Sequence, residues 1–329
     1  MRRRDFIAGL IWAAAPSSAV AVSSSNVRRL AIYCPTVPTA WLHDGSTYPG
    51  WRLFFEELRR LGHVEGQNLK VESYGKERYT SGAEDLVAEV TRENPDVIYV
   101  VGPGSLLFKR ATARIPIIAF TTFPIEQGLV LSLAHPGGNI TGVSTDAGVS
   151  IQAKRIALLR EIFPAISKLV YLQQQESIQA PVIRAASDSL GLPSVGLFFE
   201  PADDEAVYRN AITQATRDGA NAALVAENTG MIQSRVLIAR LLGEAGLPAI
   251  YSFDQAVDAG GLMAYSPDFL ELGLHAAHQI DAVFRGVSPS DIPFFQSSKF
   301  TFSINLKTAK ALGLTVPAAL LGTADRVVE

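Results

Sequence analysis

His275 and His278 stand three residues apart in a segment of helical periodicity, a spacing at which two imidazoles can share one metal ion. Nothing nearby supplies a third ligand, so the pair is expected to be structural or solvent-facing, and no metal site is expected. Val101-Gly102-Pro103-Gly104-Ser105 resembles a phosphate-cradling loop, but Leu107 takes the place of its third glycine. What is left is a turn opening a helix, whose free N–H groups suit a ligand carboxylate as well as they suit a plain connection. Asp203-Asp204-Glu205 begins a helix after Pro201, where acids favour the positive end of the dipole, so it reads as capping and not as a catalytic pair. The sequence contains no G-x-x-x-x-G-K-[ST] loop, no G-x-S-x-G elbow and no H-E-x-x-H pair. Its single cysteine, Cys34, excludes an intrachain disulfide, a cysteine-based metal site and two-cysteine acid/base chemistry. No catalytic residue and no cofactor is expected.

A second set of residues suits binding better than bond breaking. Open α/β sheets hold ligands at the carboxyl ends of their strands. Those ends, as the sequence places them, are rich in hydroxyls, amides and aromatic rings. The candidates are Thr39 and Trp41, Gly104 and Ser105, Thr122 and Phe123, Gln173 and Gln175, Asn228, Phe253 and Asp254, and Tyr265. Such a lining hydrogen-bonds to and stacks on a small polar or amphipathic molecule.

The elements that must position them follow from periodicity. Arg29–Cys34, Asn68–Tyr74, Val97–Val101 and Ile117–Phe120 read as strands, the last two as short apolar runs of the fully buried kind. Between them, Trp51, Phe54, Phe55, Leu58 and Leu61 fall on one face of a helix over Pro49–Leu61, and a second helix covers Ala83–Arg92. The alternation then repeats from Ile151 to Phe284, after a turn-rich tract at Pro136-Gly137-Gly138-Asn139. Two sets of about five β-α units predict an α/β protein of two Rossmann-like lobes, each a parallel sheet flanked by helices, with a ligand cleft at a strand hinge.

Composition sets the remaining bounds. A chain of 329 residues with 48% apolar and 19% charged residues can bury two cores, and a formal charge of −3 without a basic stripe gives nucleic acid nothing to bind. Residues 1–21 read as a cleaved export signal: Arg2-Arg3-Arg4, an apolar run from Ile7 to Ala15, then Ala19-Val20-Ala21. That run is too short to cross a bilayer of ~30 Å. Arg3-Arg4 with Phe6 resembles a twin-arginine signal. Cleavage removes three arginines and one aspartate, shifting the formal charge from −3 to −5.

Four stretches carry a family resemblance: 57–68 (ELRRLGHVEGQN), 134–142 (AHPGGNITG), 259–268 (AGGLMAYSPD) and 304–317 (INLKTAKALGLTVP). Through them the chain resembles the ABC transporter substrate-binding family that includes tryptophan- and tyrosine-binding members, a branch of the type I periplasmic binding protein fold. The resemblance covers the chain from about Arg29 to Glu329. It implies one lobe from residues 28–143 plus 258–285 and another from 144–257 plus 286–329. It further implies a periplasmic, monomeric protein that captures a small organic ligand, an amino acid or aromatic compound, between closing lobes. An ABC permease and an ATPase are the implied partners. Three loops depart from the family pattern: Gly102-Pro103-Gly104-Ser105, Thr122-Phe123-Pro124 and Gln173-Gln174-Gln175. If Asp254 meets a ligand ammonium while Ser105 and Thr122 hold a carboxylate, the ligand is a zwitterion. A ligand sensor and a periplasmic enzyme on the same scaffold are the other readings left open.

Overall fold

A computed structural model of the chain describes residues 27–79, 82–146, 148–174, 179–200 and 204–329. The expected export signal and Gln175 lie outside them. Strands and helices alternate through β1 (Arg28–Tyr33), α1 (Pro49–Arg60), β2 (Leu69–Tyr74), α2 (Ala83–Arg92), β3 (Val97–Val101), α3 (Ser105–Ala111), β4 (Ile117–Thr121) and β5 (Ile140–Ser144). The next unit runs through α4 (Val149–Ile162), β6 (Leu169–Gln174), α5 (Gln179–Ser189), β7 (Ser194–Phe199), α6 (Glu205–Arg217) and β8 (Ala222–Val225). It continues with α7 (Thr229–Gln233), α8 (Arg235–Glu244), β9 (Ala249–Tyr251), α9 (Gln255–Asp258) and β10 (Met263–Pro267). Last come α10 (Phe269–Phe284), β11 (Phe295–Gln296), β12 (Phe300–Asn305), α11 (Leu306–Ala311), α12 (Ala318–Leu321) and β13 (Arg326–Val328).

The strands form two sheets, one per lobe. The first has the order β11-β5-β4-β3-β1-β2 and the second β13-β12-β10-β9-β8-β6-β7. All pairs in the first sheet are parallel. The second is mixed, because β12 runs antiparallel to β10. The expectation of two purely parallel sheets therefore holds for the first lobe alone. Phe300–Asn305 alternates rings with Thr and Ser as an antiparallel strand does, but only its pairing with β10 shows the direction.

Each sheet is buried on both faces, and the residues show why. Leu30, Ile32 and Cys34 enter one apolar cluster while Ala31 and Tyr33 enter another. In the second lobe Leu169 and Tyr171 part from Val170 and Leu172 in the same way. The two-residue period of a strand sends alternate side chains to opposite layers of helices. On one of those layers α1 buries Trp51, Phe54, Phe55 and Leu58, with Phe54 stacked on Tyr99 at 5.1 Å. Each such ring or branched chain contributes roughly 1.5–3 kcal/mol by leaving water. α10 packs beside α1 and adds Leu272, Ala276, Ala277 and Ile280 to the same cluster.

The chain passes between the sheets three times: after β5, between β10 and α10, and between β11 and β12. This moves the expected lobe boundaries. Residues 263–267 form β10 of the second sheet, where Met263 pairs with Ile250. The first lobe instead takes α10 and β11, so it extends to Gln296. An apolar run such as Leu262–Tyr265 shows that a strand exists; the sheet it joins is fixed by which neighbour matches its register.

Candidate functional site

The carboxyl ends of the two sheets face each other across these passages. The side-chain amide of Gln233, in α7, donates to the backbone oxygen of Thr36, in the loop after β1, at 3.2 Å. Near the passages lies a group of charged residues, Asp146, Arg155 and Glu227, drawn from two loops and one helix. Asp146 stands two residues beyond β5. Its carboxylate accepts the Phe123 N–H at 2.7 Å, the Gly148 N–H at 3.2 Å and the Ser144 hydroxyl. It thereby ties the loop after β4 to the strand passage. Phe123 is bent to do this: its φ is +50°, a conformation that is strained for a phenylalanine. It is 3% exposed yet enters none of the four apolar clusters. A strained, buried ring outside the cores is the kind of residue that concentrates at ligand sites.

Arg155 is the centre of the cluster. It sits on α4 among the buried residues Ile151, Gln152, Ile156 and Leu159, and is itself 2% exposed. Its Nε–H donates to the Tyr265 carbonyl at 2.8 Å, while its two Nη groups donate to no acceptor among the described residues. Burial pushes its pKa down to about 10 against the opposing pull of Glu227 and Tyr265. Glu227, two residues past β8, is the facing acid. Burial raises its carboxyl to about 7, resisted by the charge of Arg155 and by the Thr145 hydroxyl and reinforced by Asp146. The Gln179 amide holds its backbone oxygen at 2.7 Å. Arg155 and Glu227 feel each other's charge but form no direct ion pair. Arg155 is buried and Glu227 half-buried, and keeping a buried guanidinium without an ion-pair partner costs stability of the kind met at sites that serve function.

Hydrogen-bonding atoms line the same ends. The hydroxyls of Ser105 and Ser252 and the side-chain nitrogen of Asn228 are buried without a partner among the described residues. Asn228 uses its oxygen to cap α7, accepting the Met231 N–H at 3.1 Å. Gly104 turns at φ +131°, and a Cβ there would lie 2.7 Å from the Tyr33 ring, so this loop needs glycine to reach its place. Buried polar atoms in native proteins are nearly always paired, and these three unpaired ones sit at strand ends that oppose each other.

The other expected site residues fare differently. Trp41 stacks on Tyr48 with ring centres 4.8 Å apart, against the first-lobe core. Thr122 is half-buried beside Phe123, and Gln173 is buried at the end of β6. The Tyr265 ring stacks on Phe300 at 5.4 Å, leaving its backbone oxygen to Arg155. Three other expected site residues are engaged within their own lobes. Thr39 donates both its N–H and its hydroxyl to Glu77, at 2.8 and 2.9 Å, and so joins two loops of the first lobe. Phe253 is 0% exposed in the second-lobe core, T-stacked with Tyr251. Asp254 accepts Ser303 at 2.5 Å and Arg326 at 3.1 Å, which fastens β13 to its sheet. Both contacts fall on the same carboxylate oxygen, Oδ1.

The histidine pair is separated by its surroundings. His275 stacks on Phe295 while His278 binds Glu57 at 2.7 Å, and no group of metal-ligating side chains occurs among the described residues. Sequence reasoning missed Asp146 and Arg155 and passed over Glu227. One signal was legible: Arg155 interrupts the apolar stripe Ile151, Leu159, Ile162, and a charge on a buried face calls for an explanation.

The acid also makes a stability prediction. A carboxyl raised by burial is favourable while protonated and unfavourable once ionised. Its contribution is therefore present at pH 4–5 and lost as pH rises to about 7 and beyond. Glu227→Gln, which keeps the neutral shape, is expected to raise the stability of the ligand-free protein at pH 8 by about 1–3 kcal/mol and to leave it unchanged at pH 5. Urea unfolding at the two pH values measures this, and an equal effect at both would remove the charge explanation.

These features define a two-lobed α/β protein with buried polar groups at the strand ends between its sheets. The profile of the family described as ABC transporter substrate binding protein matches residues 43–328, and the chain belongs to that family. A tyrosine-binding protein of Clostridioides difficile (strain R20291) is 24% identical over 271 residues, spanning 79% of this chain and 75% of the relative. Among solved structures, a conserved domain protein of Vibrio cholerae superposes with a TM-score of 0.79 at 20% identity, covering 92% of this chain and 99% of that one. An ABC domain from Streptococcus pneumoniae in complex with L-Trp gives 0.77 at 21% identity with the same coverage.

Proposed function

We propose that this protein is the solute receptor of an ABC importer and captures an amino acid at the junction of its lobes. The observation that carries the reading is the set of buried, unpartnered polar atoms at Ser105, Asn228 and Ser252, at the carboxyl ends of β3, β8 and β9, together with the buried Arg155. A ligand seated there satisfies groups from both lobes at once, so its binding favours the closed arrangement. The names of the relatives, one tyrosine-binding and one bound to L-Trp, favour an amino acid with a large side chain. Export through the N-terminal signal and delivery to a permease and ATPase complete the reading. Among the described residues no helix is long and apolar enough to cross a membrane.

The test is a thermal-shift panel of the twenty amino acids, with sugars, purines and short peptides as comparison, followed by calorimetry on whatever shifts. A compound at 100 times its Kd is expected to add about 2.7 kcal/mol of stability. A shift confined to amino acids supports the reading. Shifts confined to sugars or purines, or none at all, defeat it.

A further inference from the structure

The first passage between the lobes is held by a carboxylate whose two oxygens are divided between them. Asp146 stands just past β5 and is 9% exposed. Its Oδ2 accepts the Phe123 N–H at 2.7 Å and the Ser144 hydroxyl, one from the loop after β4 and one from the end of β5. Both donors belong to the first lobe. Its Oδ1 accepts the Gly148 N–H at 3.2 Å, and Gly148 caps the start of α4 in the second lobe. A bond from a backbone N–H to a carboxylate is charge-assisted, and a helix start favours a negative group. The second passage offers a contrast. Asp268 accepts the Leu270 and Glu271 N–H groups, both at 3.0 Å and both on α10 of the first lobe. The third passage lies against the other two through backbone bonds, Ser297 N–H to the Ser144 oxygen at 3.3 Å and Asp268 N–H to the Lys299 oxygen at 3.0 Å.

Turning one lobe against the other changes the angle between β5 and α4, because the chain runs from the first directly into the second. A carboxylate anchored to the first lobe by Oδ2 resists that turn, since the Gly148 N–H must leave Oδ1 as the angle changes. We propose that Asp146 is a positioning residue that fixes the angle between the lobes, clasping the first with Oδ2 and the second with Oδ1. Two elements take their place from it. One is the loop of Phe123, and the other is α4, which carries Arg155. Asp146 acts through these elements whatever molecule binds between the lobes, so the proposal stands or falls separately from the importer reading.

The experiment is pulsed electron paramagnetic resonance with one spin label per lobe, at Arg110→Cys on α3 and Arg217→Cys on α6, both exposed. Cys34 is buried and stays unlabelled. Asp146→Asn keeps the shape and one acceptor for the first-lobe donors, but turns an amide NH2 toward Gly148 in place of an oxygen. It is expected to widen the distribution of distances between the labels at least about twofold, because a charge-assisted bond at the pivot is lost. Ser144→Ala removes a bond inside the first lobe alone and is expected to leave the width unchanged. Asp146→Ser has no carboxylate, is expected to widen the distribution as the asparagine variant does, and takes its place if that variant does not fold. A packing role for Asp146 would show as a lower melting temperature with an unchanged width. Equal widths in the wild type and the Asp146 variant overturn the proposal, as does equal widening by Ser144→Ala.

Discussion

Arg155→Met is expected to abolish measurable amino-acid binding, weakening it by two to three orders of magnitude, while the ligand-free protein stays folded. The size follows from the chemistry of the contact. A charge-assisted hydrogen bond contributes about 1.5–3 kcal/mol, a forked guanidinium–carboxylate contact makes two, and each 1.4 kcal/mol is about tenfold in affinity. Methionine keeps most of the apolar stem that packs on α4 and removes only the head group. Because Arg155 has no ion-pair partner in the ligand-free protein, deleting its charge also relieves a desolvation cost. What is lost is the single bond to the Tyr265 carbonyl, worth about 1 kcal/mol. The melting temperature of the free protein should thus stay within a few degrees of wild type or rise. Calorimetry gives the affinity and circular dichroism the fold. A Kd within threefold of wild type would take Arg155 out of the site.

Gly142→Ala is expected to be the most damaging small substitution in the first lobe. Gly142 lies in β5 opposite Ala119 of β4, and a Cβ there would fall 2.0 Å from the Ala119 oxygen and 2.6 Å from its nitrogen. Backbone atoms locked in a sheet cannot step aside as a side chain can. The strand must move, and with it the bond from Gln279 to the Gly142 carbonyl at 2.9 Å. A loss of about 3 kcal/mol or more is expected, against a total stability on the order of 5–15 kcal/mol. Gly219→Ala is the control: its φ is +92° but nothing lies near the added methyl, so only about 1 kcal/mol of backbone strain is expected. Trp41 and Trp51 both belong to the first lobe, so tryptophan fluorescence in a urea titration reports on it directly. Equal midpoints for the two variants would show that the register of β4 and β5 differs from the one described. The consequence for binding is indirect. β5 delivers Asp146 to the junction two residues later, and a displaced strand carries Asp146 and Phe123 out of place with it.

Periodicity alone determined most elements of this protein up to Phe284, with β5, α7 and α9 left unread, because the two-residue alternation of strands and the helical stripe of α1 or α10 are local properties. The four family stretches determined the class, since they mark the turns and helix starts that the fold reuses. Partnership was beyond local reading. Asp254 looks like a ligand acid, an exposed-type residue in a loop at a strand end, until β13 brings Arg326 across 72 positions to pair with it. Glu227 looks no different in sequence, and what sets it apart is that its arginine is held short of contact. The proposed site draws on Asp146, Arg155 and Glu227, which belong to a strand passage, a helix and a loop. Their meeting is decided by the order β5-β4 in one sheet and β9-β8-β6 in the other. Sheet order and lobe exchange depend on register and on which apolar faces cover one another, and those are contacts between distant residues. The sequence carried one trace of the outcome: an arginine on the buried stripe of α4, where only a charge with a purpose is worth its desolvation.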